Sequence, residues 1–274
     1  MRPEDRFQFG ANWKKFVVGV DEQRLTAAGE SLVTLLGVDG IRDKTFLDVG
    51  CGSGLFSAAA VNLKAARVHS FDYDLDSVEA TREVKRRYFP DAGGWSIERG
   101  DVLDADYLRG IGRWDVVYAW GALHHTGALW QALENLVPVL SDGGALCLAI
   151  YNDQGLLSSY WRAIKRLNVR SPVAVRTVMA CSFFAYFAVT LLAADLFRGR
   201  NPHHRYSGQA RRGMSAYRDV VDWIGGYPFE VARAEEVFRF YRDRRLTLRE
   251  LKTCGGKHGC NEFVFAKDKG PREA

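Results

Sequence analysis

Three glycines at alternate positions, Gly50, Gly52 and Gly54, with Cys51 and Ser53 between them, follow directly on the short apolar run Lys44–Val49. A loop of this make-up lets the backbone turn tightly and approach a ligand with no Cβ in the way. The helix expected from Leu55 points its N-terminus at that ligand. Two carboxylates stand at matching places. Asp72 closes the next apolar run, about 20 residues on, and can accept from both hydroxyls of a ribose. Asp101 follows the third run and can accept from the amino group of an adenine. Each aspartate also fits a plain turn or cap, and the loop alone is shared with dinucleotide binders. A nicotinamide-dependent oxidoreductase would place a third glycine at the sixth position of the loop, where Phe56 and Ser57 stand nearby instead.

Candidates for proton transfer cluster after later runs. His124 and His125 follow the fourth, and an unperturbed histidine pKa near ~6.5 suits a general base. Adjacent residues face different ways, so at most one is expected to reach a substrate; the alternative is capping or packing beside the helix that starts at Ala128. Tyr151 and Asn152 end the fifth run, as a polar contact, a base or a simple turn. His258 lies in a glycine-rich tip and faces either pocket or solvent. Cys254 and Cys260 flank it, but a closed zinc site takes four ligands and no second pair is in sight, so no metal is expected. His203 and His204 read as surface residues. Five cysteines, odd in number and scattered, argue against a disulfide framework. The charged start of the chain lacks an apolar signal core. The expected compartment is the cytoplasm.

These positions need elements to hold them. Leu25, Ala28, Leu32, Leu35 and Leu36 recur at helical spacing within 1–40. Strands are predicted at 44–49, 67–71, 95–99, 114–119 and 144–151, with helices at 55–64, 75–88 and 128–140 between them. Alternation with short links gives a doubly wound, mostly parallel α/β sheet. Right-handed crossovers put every strand's C-terminal end on one edge, where ligands bind. The alternation stops near residue 154. A helix at 235–243 and two strands, 246–253 and 261–266, close the chain as an antiparallel hairpin. The predicted organisation is one domain: helical N-terminal cap 1–40, core 41–153, helical insertion 154–232 and closing elements 233–274. The cap is expected to cover the ligand, with Phe9, Asn12 and Trp13 as candidates to touch it.

The pattern resembles class I S-adenosylmethionine-dependent methyltransferases over 44–153 and 235–267. Leu47–Gly54 looks like the family's first motif, Phe71–Asp74 its second, Gly100–Asp104 its third, Trp114–Thr126 its fourth and Leu140–Gly144 its fifth. The resemblance implies a seven-stranded Rossmann-like methyltransferase sheet with the last strand antiparallel. It implies S-adenosyl-L-methionine as cofactor and S-adenosyl-L-homocysteine as product. It assigns the ribose to Asp72 and the adenine to Asp101, and has Asp48 order the loop near the methionine amino group. Within its motifs Gly50, Cys51, Gly52, Ser53, Gly54, Tyr73, Val102 and Trp120 are cofactor-binding candidates. The segments Arg6–Trp13, Asp222–Glu230 and Cys254–Asn261 are similar to a bacterial subgroup of unassigned substrate. Trp120-Gly121 stands where amine-targeting nucleic-acid methyltransferases carry an Asn/Asp-Pro-Pro-Tyr/Phe motif, which argues against exocyclic base methylation. Methyl transfer is an in-line displacement that chiefly needs alignment and exclusion of water. The expected activity is methylation of a small or lipophilic metabolite on oxygen with a histidine base. The alternatives are a non-catalytic binding protein of this fold, or a membrane-linked or RNA acceptor.

The insertion is basic and greasy. From Arg162 to Arg212 the chain carries ten Lys/Arg and one acid, Asp195, a local balance of +9 against +5 for the whole. Between Thr177 and Ala194 there is no charge over about 27 Å of helix. A single membrane crossing conflicts with closing strands that must return to the same sheet, and with basic residues on both flanks. Two readings remain: a helical lid lining a pocket for an apolar or bulky substrate, or a helix lying on an anionic membrane surface through 162–212. RNA binding lacks a stacking platform.

Overall fold

The computed structural model describes residues 6–197, 199, 216–257 and 259–268. The apolar runs become strands because both of their faces are covered. β1 (Thr45–Val49), β2 (Arg67–Asp72), β3 (Trp95–Arg99), β4 (Trp114–Trp120), β5 (Leu140–Tyr151), β6 (Leu246–Lys252) and β7 (Cys260–Lys267) form one sheet. Its order is β3-β2-β1-β4-β5-β7-β6. β1 to β5 are parallel to their neighbours, while β7 runs antiparallel between β5 and β6. This is the Rossmann-like methyltransferase sheet the sequence predicts.

The helices in chain order are α1 (Gly10–Val18), α2 (Glu22–Leu36), α3 (Leu55–Asn62), α4 (Leu75–Tyr88), α5 (Ala105–Ile111) and α6 (Leu129–Asn135). After β5 come α7 (Leu156–Arg170), α8 (Val173–Phe197), α9 (Ala216–Gly225) and α10 (Ala234–Arg242). Strand side chains alternate between two helical layers, as a period of two requires. Phe46, Val116 and Tyr118 face α1 to α4, whose Leu32, Ala59 and Val84 are buried there. Leu47, Val49, Val117 and Ala119 face the layer of Leu108, Leu133, Val237 and Tyr241. The insertion builds a third cluster from Trp161, Ala180, Val220, Ile224 and Phe229.

Two boundaries and one helix differ from the sequence reading for local reasons. α6 stops at Asn135, yet Leu136, Val139 and Leu140 stay in the core, because the following turn and the start of β5 bury the same side. β5 begins at Leu140, which pairs with Trp114 before a register shift. α5 was not predicted; it is two turns long with one buried apolar residue, Leu108, too little for a periodic signal. Its cap is explicit, since Asp104 accepts from the backbone N–H of Asp106 and Tyr107. The helical cap divides into α1 and α2, because Asp21 starts α2 by accepting from the Arg24 N–H.

Candidate active site

The strand order lays the chemistry out in sequence along the sheet's C-terminal edge. Asp101 follows β3, Asp72 ends β2, the glycine loop follows β1, Trp120 ends β4 and Tyr151 ends β5. At about 4.8 Å per strand step the five span roughly 19 Å. A cavity of about 860 Å³ opens along this edge and is lined by all of them.

The loop itself is shaped by close contacts. Gly50, Gly52 and Gly54 have φ of 74°, 55° and 73°. A Cβ on Gly50 would lie 2.4 Å from the Ala122 Cβ, and one on Gly52 would come within 3.1 Å of the Trp13 indole. Gly54 does not line the cavity; a Cβ there would lie 2.6 Å from Cγ2 of Thr81, so its smallness serves the packing of α3 on α4. Cys51 and Ser53 are buried liners, and the Cys51 thiol lies 3.2 Å from the Thr81 hydroxyl.

Asp72 is gripped by backbone. Its Oδ2 accepts from the Gly52 N–H at 3.0 Å and its Oδ1 from the Asp74 N–H at 2.9 Å. Burial pushes its carboxyl up to about 6 despite these bonds. Asp48 is buried beneath the loop and accepts from the Ser57 hydroxyl, which continues to Ser70 and the Trp95 indole N–H. Burial raises the Asp48 carboxyl to about 7, and the Asp72 charge adds to this. Asp101 turns one oxygen onto the Leu103 N–H at 2.9 Å. Tyr73 and Val102 line the cavity, and the Arg6 guanidinium sits 4.4 Å from the Tyr73 ring centroid. Trp120 also lines it, stacked at 3° on Tyr118.

The two histidines separate. His125 lines the cavity, whereas His124 lies below it. The His125 Nδ1 is 2.7 Å from the Pro228 carbonyl. A carbonyl only accepts, so Nδ1 carries the hydrogen and Nε2 keeps its lone pair. Burial lowers the His125 pKa to about 3, with Lys165 and Arg6 acting in the same direction. His124 instead accepts from the Tyr151 N–H through Nδ1 at 3.3 Å and stacks on the Tyr151 ring at 3.8 Å. Burial drives its pKa well down, and its Nε2 is buried with no hydrogen-bond partner among the described residues. Tyr151 lines the cavity between His124 and Trp223, its hydroxyl raised by burial. Asn152 is not a liner. It accepts from the Asn261 side chain at 3.0 Å and ties β5 to β7, so its polar group is spent on the sheet. His258 lies outside the described residues, as do His203 and His204.

The cap roofs the cavity. Phe9 and Trp13 line it, and Gly10 N–H donates to Asp74 at 2.8 Å. Asn12 is directed elsewhere and donates to Asp222 of α9. Several site residues escaped the sequence reading. Asp222 lines the cavity, and behind it the buried Lys165 donates to the Trp223 carbonyl. Burial lowers the Lys165 ammonium to about 7, with Asp222 opposing. Glu230 accepts from the N–H groups of Gly127 and Leu129 and pins the start of α6. For Asp222 and Glu230 the sequence signal was the segment Asp222–Glu230, and Lys165 showed only as one of the insertion's basic residues. Among the described residues, no group of three or more His, Cys, Asp or Glu is arranged to hold a metal ion. No residue of α7 or α8 lines the cavity.

A family model described as a methyltransferase domain matches residues 47–146. That match takes in about a third of the chain, the end of β1, the glycine loop and β2 to β4 included. Curated relatives are similar over short stretches. The ribosomal protein L11 methyltransferase of Psychrobacter is 34% identical over 77 residues, covering 25% of this chain and 25% of that protein. That of Pectobacterium carotovorum is 41% identical over 113 residues, covering 40% of this chain and 34% of that protein. The chain thus spans about a quarter to a third of these relatives. Among solved structures, the magnesium protoporphyrin IX methyltransferase of Synechocystis superposes with a TM-score of 0.54 at 12% identity, covering 94% of each chain.

The residues of the matched stretch fit an S-adenosyl group. Two positive-φ glycines leave the loop's main chain bare toward the cavity. Asp48 is a buried carboxylate and Asp72 a half-buried one, and neither makes an ion pair among the described residues. A ligand ammonium and a diol supply what each lacks.

Proposed function

We propose that the protein transfers a methyl group from S-adenosylmethionine to a hydroxyl of a small or lipophilic metabolite. One observation carries the reading: a single cavity joins the nucleoside-type groups Asp101, Asp72 and the glycine loop to His125, Tyr151 and Asp222. The cofactor supplies an electrophilic sulfonium methyl. Asp72 takes the ribose hydroxyls on the lone pairs its two backbone bonds leave open. Asp101 offers its second oxygen to the adenine amino group. Asp48 fixes the loop beside the amino-acid end. These contacts hold the reacting carbon at the β1–β4 step of the edge.

The acceptor then lies toward β4 and β5. His125 serves as base in this reading, because it is the histidine that lines the cavity and its tautomer leaves Nε2 ready to receive the hydroxyl proton. Trp13, Phe9 and Trp120 exclude water from the line of transfer. The matched stretch 47–146 stops before Tyr151 and Asp222. Acceptor choice is therefore carried by parts outside that match, and the ribosomal-protein substrate named for the relatives does not transfer with it.

The test has two stages. Isothermal titration with S-adenosylhomocysteine should show binding and NAD should not. Incubation with labelled cofactor and a panel of phenols, lipid alcohols and amines should then label a hydroxyl-bearing member. Binding without any product would favour a non-catalytic binding protein of this fold.

A further inference from the structure

α8 is apolar on every side, yet only one side is packed. Ala180, Phe183 and Phe187, at helical spacing, meet Trp161, Ile224 and Phe229. The opposite side presents Val178, Tyr186, Val189, Leu192 and Leu196 to solvent, with Val178 at 65% and Val189 at 66% exposure. Soluble domains rarely leave so long an apolar strip open. At 25 residues the helix is about 37 Å long, enough to span a bilayer by length. The sheet forbids a lone crossing. β5 precedes α8, β6 and β7 follow it, and all three belong to one sheet, while α9 packs back on α7 and α8.

The charge around the strip is of one sign. α7 and α8 expose Arg162, Arg166, Arg170 and Arg176, while Lys165 and their one acid, Asp195, are buried. The sequence adds five arginines and no acid from 198 to 215. A second copy docked about a twofold axis would bring these basic groups together, which disfavours association. An anionic lipid surface satisfies both the apolar strip and its basic surround. A run of ring contacts also leads inward. Phe183 meets Trp161 at 5.6 Å, Trp161 meets Trp223 at 5.3 Å, and Trp223 meets the cavity residue Tyr151 at 5.9 Å.

We infer that the outer face of α8 lies in the plane of an anionic membrane, its apolar side chains among the acyl chains and the neighbouring arginines at the headgroups. The placement stands independently of the methyl-transfer reading. Flotation of the full chain with vesicles of phosphatidylcholine, alone or mixed with phosphatidylglycerol, tests it. The protein should float with the mixed vesicles, less so in high salt, and poorly with phosphatidylcholine alone. The triple substitution Val178→Asp, Val189→Asp and Leu192→Asp should lower partitioning by about tenfold or more, with the thermal midpoint and S-adenosylhomocysteine affinity unchanged. Should that variant not fold, Tyr186→Trp provides the readout: its added fluorescence should be quenched by brominated lipid. Wild-type protein that stays unbound, a folded triple variant that floats like wild type, or an unquenched Tyr186→Trp overturns the inference. A solution dimer split by the triple substitution, without vesicle binding, assigns the strip to a second copy and overturns it too.

Discussion

His125 donates its Nδ1 hydrogen to the carbonyl of Pro228, 103 positions later, at 2.7 Å. The insertion's last stretch thereby sets the tautomer of a histidine that sits on the core's functional edge. His125→Ala should lower turnover by roughly 10²–10⁴ while S-adenosylhomocysteine still binds. With its pKa lowered to about 3, this imidazole is already neutral across the working range. The rate should therefore show no limb near pH 6.5 that depends on His125. A limb there that vanishes in His125→Ala would show the imidazole titrating near its ordinary value and reject the lowered pKa, not the role as base.

Asp72→Ala should weaken S-adenosylhomocysteine by about 1–3 kcal/mol, the worth of hydrogen bonds to a charged group. Its raised carboxyl, at about 6, adds a pH signature. The anion is the form that accepts both hydroxyls, so affinity should fall as pH drops below 6 and the fall should be absent in Asp72→Asn. Titration calorimetry at pH 5 and 8 reads both effects.

Asp48 sets a different pH dependence, on stability. Its folded pKa of about 7 lies above the ordinary 3.8. The folded chain thus holds this proton more tightly than the unfolded one, and the contribution is fully present below pH 4 and lost as pH rises through 7. Asp48→Asn should gain stability relative to wild type between pH 5 and pH 8, by at most about 3 kcal/mol. Urea unfolding at the two pH values measures the difference, and an identical offset at both would refute it.

Gly50→Ala should destabilise the fold through two separable causes. The φ of 74° strains any side chain, and the new Cβ meets Ala122 at 2.4 Å. The strain alone is worth about 1–3 kcal/mol. Adding Ala122→Gly should recover the clash but not the strain. Full recovery in thermal unfolding would show that the backbone is not constrained.

What the sequence revealed of the site was local. Gly50, Gly52, Asp72 and Asp101 each follow an apolar run, so parallel strands alone carry them to one edge. His125 could not be told from His124, because the choice rests on Pro228 and Tyr151, far away in the chain. Lys165 reads as one more surface base on an amphipathic helix until α9 closes over it. Asp222 is unremarkable by type, and only α1 and α9 together bring it to the cavity. Gly54 belongs to the loop by spacing, but its duty is to Thr81. Apolar residues continue past Asn135 through the turn before β5, so periodicity alone extends α6 to 140.

β5 has an order-of-synthesis consequence. Its outer edge is satisfied by β7, with Leu146 opposite Phe265 and Ile150 opposite Asn261. More than a hundred residues are made between the two, so a nascent chain carries an open, apolar strand edge until β7 emerges. Such an edge invites pairing with a neighbouring chain. Slow translation of the tail, or a stop codon ahead of β7, would be felt first as insolubility rather than as a loss of chemistry.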